Sequence, residues 1–135
     1  MYSSPLQRAR RTAELAGYPS PEICPLLHEV DYGEFEGLTT QAIRDRQPGW
    51  ELFKDGCAGG ETPGEIYARA QLFIELATAS GARVLAFAHG HILRAVGAAW
   101  LGVDIAVAAG LLLDVATISV LRQDDRRSIA VWNAP

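Results

Sequence analysis

Positive charge is not in excess in this chain: 12 basic side chains stand against 16 acidic ones, giving a net charge of -4 and a pI near 5.3. A sequence-independent nucleic-acid binder draws its affinity from a basic field, so no nucleic-acid partner is expected. Cysteine is scarce too. Cys24 and Cys57 cannot make a disulfide framework, and a reducing, cytoplasmic setting is the expectation. Long apolar runs are missing: the longest, Ile105 to Leu113, is far too short to cross a bilayer, so no membrane partner is expected. The opening MYSSPLQRARR has no apolar core of a signal peptide. Repeats, linkers and low-complexity tails are absent. What remains is 135 residues with ordinary globular composition, 49% hydrophobic and 21% charged, read as one domain able to bury a core.

The most informative stretch is Arg83 to Arg94, RVLAFAHGHILR. Val84 to Ala88 is a short uncharged apolar run, which reads as a strand buried on both faces. It ends in His89-Gly90-His91, after which Ile92, Leu93, Val96 and Trp100 recur at helical spacing, with Gly102 as the stop. A strand, a tight turn bearing imidazoles, and a helix N-terminus with free N–H groups together suit an anion such as phosphate near His89.

The remaining elements follow in order. Ser4 is positioned to cap a helix through LQRARRTAELAG that Gly17 ends, with Arg8 near its start and Arg10 and Arg11 on a solvated face. Tyr18 to Pro25 reads as a connector and His28 to Gly37 as a structured acidic loop. In that loop, Asp31, Glu34 and Glu36 are solvated or local partners, and an acid beside a phosphate site has the chemistry of a proton donor. A short helix from Thr39 or Thr40 to Arg46 precedes a helical turn at Trp50 to Phe53 and a glycine-rich, flexible Asp55 to Gly60. Thr62-Pro63-Gly64-Glu65 spells a capping box for a helix whose apolar face is Ile66, Ala70, Phe73, Ile74 and Ala77, ending near Gly81. Glu61 complements that helix's dipole, and Arg94 is expected in a structural ion pair. Trp50, Phe53 and Trp100 read as core. Asp104 to Leu113 is a helix or loop, and Thr117 to Arg122 and Ser128 to Trp132 are strands flanking a polar turn.

Four blocks in register resemble the histidine phosphatase superfamily: SSPLQRARRTAELAG at 3–17, HEVDYGEFEGLTTQAIR at 28–44, GGETPGEIYARA at 59–70 and AFAHGHILRAV at 86–96. The wording is most similar to its acid-phosphatase-like branch. The resemblance implies an α/β fold, a three-layer α/β/α sandwich with a mostly parallel sheet, of the phosphoglycerate mutase type. It implies hydrolysis of a small phosphorylated metabolite through a phosphohistidine, without metal or other cofactor. Arg8, His89 and Gly90 would bind the phosphoryl group, Glu29 would donate a proton to the leaving oxygen and then serve as base toward water, and His91 would line the entrance. Phosphoglycerate mutase activity is an alternative, and a homodimer is compatible with the chain.

One departure from the family stands out. Its nucleophile lies in an Arg-His-Gly motif upstream of the SPLxRA block, and none of the three histidines, His28, His89 and His91, sits in one. The expectation is an N-terminally truncated phosphatase, from a mis-assigned start or a cut chain, with little activity and two unpaired sheet edges. Two rivals remain. One is a non-catalytic module that binds phosphorylated ligands or a protein. The other is a metal site built from His89, His91 and Glu29 or Asp31, with His28, Cys24 and Cys57 as further donors.

Overall fold

Parallel pairing comes first and is short. A computed structural model describes residues 1–135. Strand β1 (Tyr2–Ser3) pairs with β2 (Glu22–Ile23) on one side and β3 (Ala86–Phe87) on the other, in the order β2-β1-β3. Tyr2 lies opposite Glu22 and Ala86, and Ser3 opposite Ile23 and Phe87. Pairs in register share a face. The Tyr2 face looks to helix α4 (Pro63–Thr78), where Tyr2 meets Phe73 edge-on at 6.2 Å. The opposite face meets helix α1 (Gln7–Leu15), beyond whose end Tyr18 lies 6.0 Å from Phe87. Helices therefore cover both faces of a parallel sheet, the α/β arrangement expected.

Three details correct the sequence reading. The strand at Val84 to Ala88 is only two residues long and half-buried, with Leu85 39% exposed, because the sheet is three strands wide and β3 is its edge. Residues 18–25 are not a plain connector, since β2 lies within them. The sheet is also not one piece: β4 (Ile118–Gln123) and β5 (Arg127–Ala134) form a separate antiparallel pair. The strands β2, β3, β4 and β5 each pair along one edge only.

The core sits between α4 and helix α5 (Gly90–Leu101), with the 24–57 segment folded over them. Leu27, Ile66 and Ile92 are wholly buried, each stabilising the fold by roughly 1.5–3 kcal/mol. Trp50, Phe53 and Trp100 belong to this core, as expected. Helix α2 (Thr40–Arg46) is capped by Thr39, and a one-turn helix α3 (Leu52–Asp55) follows. The capping box of α4 forms as its sequence spells it, with Thr62 Oγ1 accepting from Glu65 N and the Glu65 carboxylate accepting from Thr62 N. Residues 105–110 form a 3-10 turn capped by Asp104.

Two close approaches shape the rest. Gly33 and Gly60 bring two backbone segments together so tightly that a Cβ on either would sit 2.3 Å from the Ala58 or Asp31 carbonyl oxygen. The glycine-rich 55–60 segment is therefore held against the acidic loop, and its glycines serve contact rather than flexibility. On α5, a Cβ at Gly97 would lie 2.9 Å from the Trp132 indole of β5.

Candidate active site

The N-terminus of α5 gathers the four residues singled out as phosphate-binding or proton-transferring, and His91, expected at the entrance. His89 is its N-cap, Gly90 and His91 open its first turn, Arg8 reaches it from α1, and Glu29 from the acidic loop. The chain brings them together because β1 and β3 are neighbours in one sheet, and the segments that leave their carboxyl ends emerge side by side.

On one side of this turn, Arg8 Nε donates to His89 Nδ1 at 3.1 Å. A guanidinium only donates, so His89 Nδ1 is the acceptor and its Nε2–H donates to Ser4 Oγ at 2.8 Å. His89 is 7% exposed and Ser4 wholly buried. Burial, and next the Arg8 charge, push the His89 pKa below its ordinary value, so the ring is neutral near pH 7. Arg8 itself is exposed, and its terminal nitrogens make no hydrogen bond to the protein. Nor does Gly90 N–H have a protein acceptor. A guanidinium held on His89 and a free N–H one residue further on are donors of the kind an anion site uses.

The other side differs. Glu29 lies against the helix N-terminus, its carboxylate accepting from Val30 N at 2.9 Å, Ile92 N at 3.1 Å and His91 N at 3.3 Å. The His91 ring is 3.4 Å away, and Tyr32 Oη lies 3.2 Å from His91 Nδ1. Burial alone would raise the Glu29 pKa; the His91 contact and the backbone N–H groups outweigh it and hold the group down at about 2. Glu29 is thus a carboxylate here. The internal carboxylate occupies part of the helix N-terminus that the turn sequence offered to a ligand.

Several smaller expectations change. Ser4 is not the cap of α1, which begins at Gln7 with Leu6 as N-cap. Its hydroxyl still accepts Leu6 N, but its second partner is His89. Arg94 makes no ion pair; it donates to the carbonyls of Ala108 and Ala109, ending the 3-10 turn. Glu61, just before the α4 cap, also pairs with Arg69 at 2.7 Å. Asp31 and Glu36 are local partners as expected, accepting from Gly33 N and Tyr32 N. The metal reading loses its geometry: His89 and His91 engage different partners, and no three His, Cys, Asp or Glu side chains converge as ligands. Both cysteines are buried and free. No helix is long and apolar enough to cross a membrane.

Sequence reasoning passed over Arg69 and Tyr32. Arg69 occupies the same face of α4 as buried Ile66, Ala70 and Phe73, and a charge inside an apolar stripe was the available signal. Two concavities, of about 410 Å³ beside Arg69 and about 710 Å³ beside Arg10, both lie away from His89. The Arg8–His89 cluster is preferred as the candidate site because it sits at the carboxyl ends of the parallel strands, beside a helix N-terminus with an unpartnered N–H.

Known proteins share this architecture. The chain is similar to the acid phosphatase of Mycobacterium tuberculosis, 38% identical over 119 residues that make up 87% of this chain and 59% of that protein. It is 30% identical over 131 residues to sedoheptulose 1,7-bisphosphatase of Saccharomyces cerevisiae, covering 78% of this chain and 48% of that one. It therefore spans about half to three-fifths of the length of these curated relatives. Among solved structures, an open-reading-frame product of Mycobacterium tuberculosis superposes with a TM-score of 0.94 at 35% identity, over 98% of this chain and 70% of that chain. A mycobacterial glucosyl-3-phosphoglycerate phosphatase in complex with inorganic phosphate matches with a TM-score of 0.85 at 27% identity, over 99% and 76%. With the model of the histidine phosphatase superfamily (branch 1) matched across residues 1–135, the chain belongs to that superfamily.

Proposed function

We propose that these residues form the phosphate-binding and proton-transfer part of a phosphomonoester hydrolase acting through a phosphohistidine. The observation that carries this reading is the 3.1 Å contact of Arg8 with His89, across 81 residues of sequence, beside the unpartnered Gly90 N–H. A phosphoryl group between them would take charge-assisted hydrogen bonds from the Arg8 guanidinium and a neutral one from Gly90 N–H. In the reaction, the bond from phosphorus to the ester oxygen breaks as a histidine nitrogen bonds phosphorus. The leaving oxygen takes a proton, and water then splits the phosphohistidine to release phosphate. Glu29 can carry that proton once a dianion lies beside it, because like charge raises a carboxylate's pKa. The substrate class is a small phosphorylated metabolite, and the likeness to phosphatases of sugar phosphates supports that class.

Neither histidine of the HGH turn has a free ring nitrogen to serve as nucleophile for this chemistry. Both ring nitrogens of His89 are engaged, His91 is held by Tyr32 and Glu29, and His28 Nδ1 lies against the Glu29 carbonyl at 2.9 Å. That observation favours a second reading, a module that binds phosphorylated ligands without turnover. One pair of assays separates the two. The 135-residue chain is expected to bind inorganic phosphate and to hydrolyse p-nitrophenyl phosphate negligibly. Translating the DNA upstream of the Met1 codon in frame, then assaying any extended product, decides the rest. An Arg-His-Gly strand that restores turnover supports the hydrolase, and its absence supports the binding module. Failure of the chain to bind phosphate, with the same failure in the extended product, sinks both.

A further inference from the structure

The turn that carries Glu29 is gripped at both ends by one ion pair. Arg69, on the buried face of α4, donates from Nη1 to the carbonyl oxygens of Leu26 at 2.8 Å and His28 at 2.7 Å. Its Nε and Nη2 form a fork on the Glu61 carboxylate at 2.7 and 2.8 Å. The same Glu61 Oε2 accepts from Asp31 N at 2.8 Å. Residues 28 and 31 are thus tied to one guanidinium–carboxylate unit, with Glu29 and Val30 spanning the gap. The side chains of Arg69 and Glu61 are 17% and 19% exposed, so the pair is shielded in a way a surface bridge is not. The fork and the two carbonyl contacts use four of the five guanidinium N–H groups, an arrangement lysine cannot reproduce.

We propose that Arg69 and Glu61 are positioning residues that set the Glu29 carboxylate on the N-terminus of α5. The proposal extends the reading of Glu29 as the proton-transfer group by naming what aims it. Helix α4 packs on α5, so a turn bolted to α4 holds a fixed distance from the α5 N-terminus. The His91 N and Ile92 N contacts of Glu29 depend on that distance, since hydrogen bonds weaken steeply once displaced. A simple staple between α4 and the loop would add stability without governing where Glu29 sits.

The readout is the titration of the Glu29 carboxyl, followed by carbon-13 NMR in the 135-residue chain. The groups that face Glu29 are His91 and His89 at the start of α5, Arg94 further along it, and Tyr32 on the loop. Arg69→Lys keeps the cation, so a midpoint raised in both Arg69→Gln and Arg69→Lys reports displacement rather than lost attraction. In Arg69→Gln, the Glu29 midpoint is expected to rise from about 2 toward the ordinary value of 4.5. Arg69→Lys, which keeps the charge but not the fork, should recover only part of the shift. A folded Arg69→Gln with an unmoved Glu29 midpoint overturns the proposal. Should Arg69→Gln fail to fold, Arg69→Lys is read in the same way: an unmoved midpoint overturns the proposal and a raised one supports it. Hydrolysis by a Glu29→Gln form of an active extended protein tests the proton-transfer role separately, so either idea can fail alone.

Discussion

Two clusters flank the same helix N-terminus and are opposite in kind. The Arg8–His89–Ser4 side is a set of donors, with guanidinium nitrogens and the Gly90 N–H left over. The Glu29–His91–Tyr32 side already holds its anion, a carboxylate bound by three backbone N–H groups. The contrast teaches that a helix N-terminus can be divided: part of its positive end fixes a protein carboxylate, and part stays open for a ligand. A phosphoryl group entering beside Glu29 then meets cations on one side and a charge that repels it on the other. That repulsion is what would turn the carboxylate into a proton carrier.

The comparison can be broken first on the filled side. Glu29 has a folded-state pKa near 2 against an ordinary 4.5, so its stabilisation is present above about 4.5 and is lost as pH falls toward 2. A shift of that size corresponds to roughly 3 kcal/mol. Glu29→Gln should flatten the pH dependence of urea unfolding across that window; an unchanged slope would mean that Glu29 is not held as described. His89 acts in the same direction at higher pH. Its lowered pKa leaves the folded state with fewer protons than the unfolded chain, so stability should begin to fall as pH drops through the ordinary histidine value of 6.5.

On the open side, Arg8→Ala should weaken inorganic phosphate binding by about 2 kcal/mol, on the order of 30-fold by calorimetry. Equal affinity would move the anion site elsewhere. Next in size, Ser4→Ala removes the partner of a buried His89 N–H and should destabilise the fold by about 1–2 kcal/mol in urea. It should also disturb the His89 tautomer seen by nitrogen-15 NMR. The smallest effect is expected from Tyr32→Phe, which loses one neutral hydrogen bond to His91, about 0.5–1 kcal/mol of stability. A larger loss would show that the filled cluster depends on the phenol more than its geometry implies.

How much of this was legible depends on distance along the chain. The capping box at Thr62 to Glu65 was readable because every partner lies within one turn. The same holds for Thr39 and for the Gly102 stop, where a left-handed backbone at φ 67° favours glycine. Strand Val84 to Ala88 was identified by its apolar run, but its short pairing and half-exposed state depend on how many strands join, which no local pattern records. Ser4 shows the limit most plainly: a serine before a helix announces an acceptor for a nearby N–H, and nothing local announces a histidine 85 residues away. His89 stands out by the strand, turn and helix around it, and Arg8 and Glu29 through family resemblance; the lowered pKa of Glu29 is hidden because much of it comes from a helix 62 residues downstream.

The contact between Trp132 and Gly97 links the far strand pair to this chemistry. The hydrogen at position 97 is the space the indole fills, seven residues along α5 from Gly90, or roughly 10 Å down the helix axis. Any side chain there would wedge the hairpin away or tilt α5 as a rigid rod, and a tilt would swing His89 and Gly90 out of line with Arg8. The aim of the site is therefore governed in part by a residue that can never touch a ligand.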